Sequence, residues 1–113
     1  MRPETRHQIG ARELSLMKPT AFLINTARGA IIDEAALVRA LKKKQIAGAG
    51  LDVFEHEPKV SPALLKMPNV VTTPHLGSGV VEVREQMANI VVDNILALLD
   101  GRRPPNIVNP QVL

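Results

Sequence analysis

The chain has 113 residues, 45% of them hydrophobic and 22% charged, which is enough for one soluble globular domain and too little for two. Fourteen basic against eleven acidic side chains give a formal charge of +3. Phe22 and Phe54 are the only aromatic residues, which argues against a nucleic-acid binder that stacks bases on aromatic platforms. There is no cysteine, hence no disulfide framework and no thiolate metal site; no metal is expected. The first ten residues, MRPETRHQIG, carry no apolar leader, and no apolar run approaches membrane-spanning length, so the expected location is cytoplasmic, away from any membrane.

Residues 10–17, GARELSLM, predict a short helix stopped before Pro19. AFLIN at 21–25 is a short apolar run with a polar end, the pattern of a buried strand. Asp33 is a good helix N-cap followed by Glu34, and the helix places Ala36, Leu37, Ala40 and Leu41 on one face. It ends in Lys42, Lys43 and Lys44; these, like Arg102 and Arg103, read as solvated cations at helix ends. IAGAGLDVF at 46–54 predicts a second strand, whose glycines imply close approach by a neighbour. A loop and at most two turns of helix lead to a third strand at 69–75, NVVTTPH. A long helix then runs from about Val80 to Asp100. Its apolar stripe (Val80, Val83, Met87, Val91, Ile95 and Leu98, widened by Val81, Ala88, Val92 and Leu99) calls for burial on more than one side; with too little chain here to supply it, part of the face holding Val81, Ala88, Val92, Ile95 and Leu99 is expected to lie open to water. Gly101 stops it, and a proline-rich tail of extended character follows.

Short apolar strands alternating with helices predict an α/β fold with parallel strands. In such sheets ligands gather at the carboxyl ends of the strands. Arg28 follows the first strand, Asp52 and Glu57 the second, and His75 the third, so parallel strands bring all four to one edge. Singly each has a bland explanation: a loop arginine capping carbonyls, a turn aspartate, a solvated glutamate, a rigid histidine after Pro74. Together they make chemical sense. Arginine grips a carboxylate, histidine moves a proton near neutral pH, and a carboxylate beside it favours the imidazolium. That set suits reduction of a carbonyl next to a carboxylate; the residues themselves do not name the hydride source.

Three blocks in order, MKPTAFLINTARGAIIDEAALVRAL, IAGAGLDVFEHEP and NVVTTPHLGSGVVEVREQMA, resemble the C-terminal signatures of the D-isomer-specific 2-hydroxyacid dehydrogenases, with the closest flavour that of glyoxylate/hydroxypyruvate or 2-ketogluconate reductases. The resemblance covers nearly the whole chain. It implies a nicotinamide cofactor, NAD or NADP, and a small 2-oxo or 2-hydroxy acid substrate. It implies that Arg28 binds the substrate carboxylate, that His75 is the general acid, and that Glu57, just before Pro58, pairs with it. Glu55 ranks second for that pairing. Asp52 would contact the nicotinamide carboxamide, and backbone at Thr26, Ala27, Gly77 and Ser78 would line its pocket. No G-x-G-x-x-G occurs in the 113 residues, GAGLD lacking the third glycine. By resemblance, then, residues 1–113 form a single partial domain: the second half of a dinucleotide-binding domain, a partial Rossmann-like sheet of about three strands with flanking helices. The glycine fingerprint and the substrate domain are absent, and weak cofactor binding by the isolated chain is expected. A homo-oligomer, or a partner chain supplying the missing half, is expected too. The alternative is an inactive truncated paralogue or a non-enzymatic binding module that needs a partner.

Overall fold

A computed structural model describes residues 3–112, and the chain divides into two compact units, Met1–Gly77 and Ser78–Leu113. In the first, short 3-10 turns at Pro3–Thr5 and Gly29–Ile31 accompany α1 (Ala11–Leu16), β1 (Phe22–Asn25), α2 (Glu34–Lys42), β2 (Gly48–Leu51), α3 (Pro62–Leu65) and β3 (Val70–Thr72). The three strands form one parallel sheet in the order β1-β2-β3, with Phe22 opposite Gly48 and Gly50 opposite both Ile24 and Val71. The expected α/β class and parallel pairing are both present.

The sheet has one covered face. Leu14 of α1, Ala36, Leu37, Ala40 and Leu41 of α2, and Leu64 of α3 bury themselves with Ala49, Leu51, Ile46 and Phe54. The four α2 residues read from helical spacing are all in this core. The Asp33 side chain caps α2 by accepting the Ala36 N–H at 2.9 Å. On the other face the expectation of a buried first strand fails: Phe22 and Ile24 are 65% and 66% exposed. Strand alternation explains it, because Leu23 and Asn25 point to the helices while residues 22 and 24 share the opposite face with Gly48, Gly50 and Val71. β2 needs its glycines there. A Cβ on Gly48 would lie 2.4 Å from the Asn69 carbonyl and 2.8 Å from the Phe22 ring. β2 is also shorter than the 46–54 run, since the chain turns to the loop at Asp52.

The second unit is α4 (Val81–Leu99), with a 3-10 turn at Pro110–Val112. Gly101 takes φ +67° and ends the helix as expected. The face expected to lie open to water does so: Ala97 is the buried residue of α4, whereas Val81, Ala88, Val92, Ile95 and Leu99 are exposed. Within its unit only the segment after Gly101 can cover the helix. It folds back rather than running straight, through Arg102 N–H to the Ala97 carbonyl (2.8 Å) and the paired amides of Asn94 and Asn106.

Leu37 is 1% exposed at the centre of the core. Leu37→Ala is expected to cost about 3 kcal/mol in chemical unfolding, as buried leucine truncations do; a loss under about 1 kcal/mol would show that this core is not close-packed.

Candidate functional site

The turn after β1 is built by Asn25, which sequence reading passed over. Its side chain is buried; Oδ1 accepts the Ala27 N–H (3.1 Å) and Nδ2 donates to the Arg28 carbonyl (3.0 Å). This loop around an asparagine side chain leaves Thr26, Ala27 and Arg28 exposed at the strand's carboxyl end. The available signal was an Asn closing an apolar run, with Gly29 four residues on. Gly29 is obligatory: a Cβ there would sit 1.9 Å from the Phe54 carbonyl carbon and 2.4 Å from the Glu55 nitrogen. The Arg28 turn is thereby pressed backbone to backbone against the loop after β2.

Asp52 ends β2 and organises the turn after β3. Its Oδ1 accepts the Thr73 hydroxyl (2.6 Å) and the Leu76 N–H (2.8 Å), and its Oδ2 the Gly77 N–H (3.2 Å). The Thr73 hydroxyl first, then the Leu76 N–H, against a smaller penalty from burial, hold the carboxyl below the ordinary aspartate range; the Gly77 N–H and the His75 charge add to this. The Asp52 carbonyl also accepts the His75 N–H at 2.9 Å. Pinned on both sides, His75 adopts φ +55°, the left-handed region uncommon for a residue with a Cβ.

The imidazole meets Glu57, Nδ1 to Oε2, at 2.9 Å, and Glu57 Oε1 accepts the Phe54 N–H at 2.9 Å. The Phe54 N–H and the His75 hydrogen bond outweigh desolvation, and the charges of His75 and Arg28 add to them, so the Glu57 carboxyl is held low. An ionised carboxylate only accepts. Nδ1 therefore carries the hydrogen, and Nε2 is the ring atom left to exchange a proton. The Arg28 guanidinium donates from Nη1 to the Ala27 carbonyl at 2.6 Å. Glu55, ranked second as the histidine's partner, faces elsewhere: its Oε1 takes Arg6 Nη2 (2.7 Å) and His7 Nε2 (2.6 Å).

The first unit therefore brings Arg28, Asp52, Glu57, His75 and Gly77 to the carboxyl edge of the sheet. Ser78 opens the second unit, where its carbonyl accepts Arg84 Nε at 2.8 Å. For a nicotinamide the edge is suited. Thr26 and Ala27 are exposed, and Asp52 Oδ2, with one long hydrogen bond, has room to accept from a carboxamide.

The fold and site define a class, the α/β proteins whose parallel sheet carries a histidine–carboxylate pair and an arginine at its carboxyl edge. The chain belongs to a particular family within it: residues 1–77 match the D-isomer specific 2-hydroxyacid dehydrogenase family, NAD binding domain. A glyoxylate reductase of Thermococcus litoralis is 56% identical over 110 residues, 97% of this chain and 33% of that protein. The crystal structure of an NADPH-dependent glyoxylate/hydroxypyruvate reductase from Sinorhizobium meliloti superposes with a TM-score of 0.91 at 46% identity, over 95% of this chain and 34% of the other. A D-lactate dehydrogenase from Lactobacillus jensenii, solved with NAD+, gives 0.87 at 36%, over 96% of this chain and 37% of the other. The chain spans about a third of the length of the relatives it matches.

Because the folded state holds Asp52 low, its stabilising effect is present above the ordinary aspartate pKa and is lost as pH falls through the folded-state value. Urea melts between about pH 6 and pH 3 are expected to show a flatter pH dependence for Asp52→Asn than for the unsubstituted chain. Equal slopes would mean that the Asp52 hydrogen bonds do not form in solution.

Proposed function

We propose that this chain is the catalytic half of an NAD(P)-dependent oxidoreductase acting on the CH–OH group of D-2-hydroxy acids, reducing a 2-oxo acid such as glyoxylate or hydroxypyruvate. The observation that carries the reading is the Glu57–His75 pair at the strand ends with Arg28 close enough to lower the Glu57 carboxyl. The names of the relatives support the substrate class. Residues 1–113 then form the second half of a dinucleotide-binding domain. A bound nicotinamide supplies hydride to the carbonyl carbon. The chain's residues do the rest. Arg28 takes the substrate carboxylate, a pairing suited to its planar fork. His75 holds a proton on Nε2 and delivers it to the developing alkoxide, and Glu57 orients the ring by accepting from Nδ1. Asp52 fixes the His75 turn and accepts from the nicotinamide carboxamide, with Thr26, Ala27 and Gly77 lining that pocket.

Among the described residues no helix is long and apolar enough to cross a membrane, and a cytoplasmic setting fits the reading. The exposed apolar residues of α4, Val81, Val92, Ile95 and Leu99, favour a homo-oligomer or a partner chain carrying the remaining half. Size-exclusion chromatography with light scattering of the 113-residue chain is expected to show self-association; a monomer at high concentration with no dye-binding apolar surface would remove this support.

The full-length protein that carries these residues is the material for the activity test. It is expected to oxidise NADPH or NADH on addition of glyoxylate or hydroxypyruvate. His75→Gln is expected to lower kcat by about a thousandfold, the scale of a lost general acid. Arg28→Lys is expected to raise KM for the oxo acid by more than tenfold, the effect of about 1.4 kcal/mol of lost carboxylate binding. Turnover in His75→Gln within a few-fold of the parent would overturn the assignment of the proton donor. No turnover with any 2-oxo acid would favour the inactive or purely binding reading.

A further inference from the structure

Glu57 reaches His75 from an exposed loop, and two residues earlier that loop carries an anchor outside the site just described. The Glu55 side chain is 7% exposed, and each of its polar atoms is used. Oε1 accepts from Arg6 Nη2 (2.7 Å) and His7 Nε2 (2.6 Å), and Oε2 accepts the Glu34 N–H at the start of α2 (3.3 Å). Its own N–H donates to Glu34 Oε2 at 3.1 Å. One residue thus joins three segments: the stretch before α1, the first turn of α2, and the loop after β2. The stretch before α1 is itself tied down, His7 N–H to the Ala30 carbonyl (2.8 Å), Ile9 N–H to the Ile31 carbonyl (3.0 Å) and Asp33 N–H to the Ile9 carbonyl (2.9 Å). Arg6 and His7 are therefore presented by backbone that also frames the turn after Arg28.

We propose that Glu55 is a positioning residue for the Glu57–His75 pair: anchored by Arg6, His7 and Glu34, it fixes the backbone from which the Glu57 carboxylate reaches the imidazole. Position and geometry support this. The Phe54 N–H that holds Glu57 Oε1 belongs to the peptide joining Phe54 to the residue before it, and Gly29 packs directly on the next peptide, between Phe54 and Glu55. Movement of Glu55 therefore displaces the Glu57 donor and the Arg28 turn together. An exposed ion pair would be a weak constraint. A nearly buried carboxylate shared by two cationic side chains and a helix N-terminus is a strong one, because breaking it strands the charge.

This inference rests on the reading of Glu57 and His75 as the proton-transfer pair, but its test reads the Glu57 carboxylate and not turnover, so the two can fail separately. The 113-residue chain, labelled with 13C at glutamate carboxyls, is titrated by NMR as parent, His75→Ala, Glu55→Ala, Glu55→Gln and Glu55→Asp. His75→Ala removes the partner directly and sets the scale of the upward shift at Glu57. Glu55→Ala is expected to move the Glu57 midpoint upward by at least half of that. The sign discriminates: deleting a neighbouring negative charge without loss of position would lower the midpoint. Glu55→Gln, whose single amide oxygen can still accept from Arg6 while its NH2 faces the Glu34 N–H, is expected to move the midpoint upward by less than Glu55→Ala does. Should Glu55→Ala not fold, Glu55→Asp decides, since it keeps the charge and loses only reach; an upward shift is expected there too. A smaller shift in Glu55→Ala, or a downward one, overturns the proposal, as does an unmoved Glu57 in a folded Glu55→Asp.

Discussion

β2 lies between two strands that both run parallel to it, so all three strands leave the sheet at the same edge. Parallel neighbours cannot be joined by tight hairpins and require crossovers, here α2 and α3, which bury one face and return the chain to the start of the next strand. The site follows from that constraint. Three separate turns, at residues 25–29, 52–57 and 73–77, are delivered to one edge with no further device. The cost falls on the middle strand. To sit under Phe22 and beside Asn69 it carries glycine at 48, where any Cβ would collide.

Delivery to an edge does not orient a side chain, and side-chain-to-backbone hydrogen bonds do that work. Asn25 closes the first turn on itself, and Asp52 reaches across to the third, where one carboxylate gathers a hydroxyl and two N–H groups. The outcome at His75 is a backbone conformation that few non-glycine residues adopt, held because both its own N–H and the turn after it are anchored to Asp52. The two aspartate-like roles in the site are distinct. Asp52 turns its Oδ1 wholly, and its Oδ2 in part, to holding the turn after β3, while Glu57 gives one oxygen to the Phe54 N–H and the other to the imidazole. Both carboxyls are held low by donors, so both are anions at neutral pH.

The second unit has a different physical character. α4 is apolar around most of its circumference, and only the tail that folds back through Arg102 and Asn106 touches it within the unit. An amphipathic helix with one narrow stripe can be satisfied by one neighbour; α4 cannot. Its unit supplies no second neighbour for it among the described residues, and the relatives the chain matches are about three times as long.

Residue order alone determined the helices, since periodicity and caps are local: Asp33 as N-cap, Gly101 as stop, and the α2 face of Ala36, Leu37, Ala40 and Leu41 are set by neighbours within one or two turns. It also determined the parallel α/β class and the edge at which Arg28, Asp52, Glu57 and His75 gather, because alternating strands and helices leave few topologies. The family resemblance ranked Glu57 ahead of Glu55 as the partner of His75, but no local pattern decided it, and where Glu55 turns instead was shown only by the tertiary structure. Glu55 and Glu57 are two residues apart in one loop, yet one turns to Arg6 and His7 and the other to His75. That choice depends on residues some fifty positions earlier and eighteen later, a separation no local pattern spans. The uncovered face of β1, with Phe22 and Ile24, was likewise beyond reach of the pattern. An apolar run states that a surface avoids water, and only the packed chain shows whether anything in these 113 residues is there to cover it.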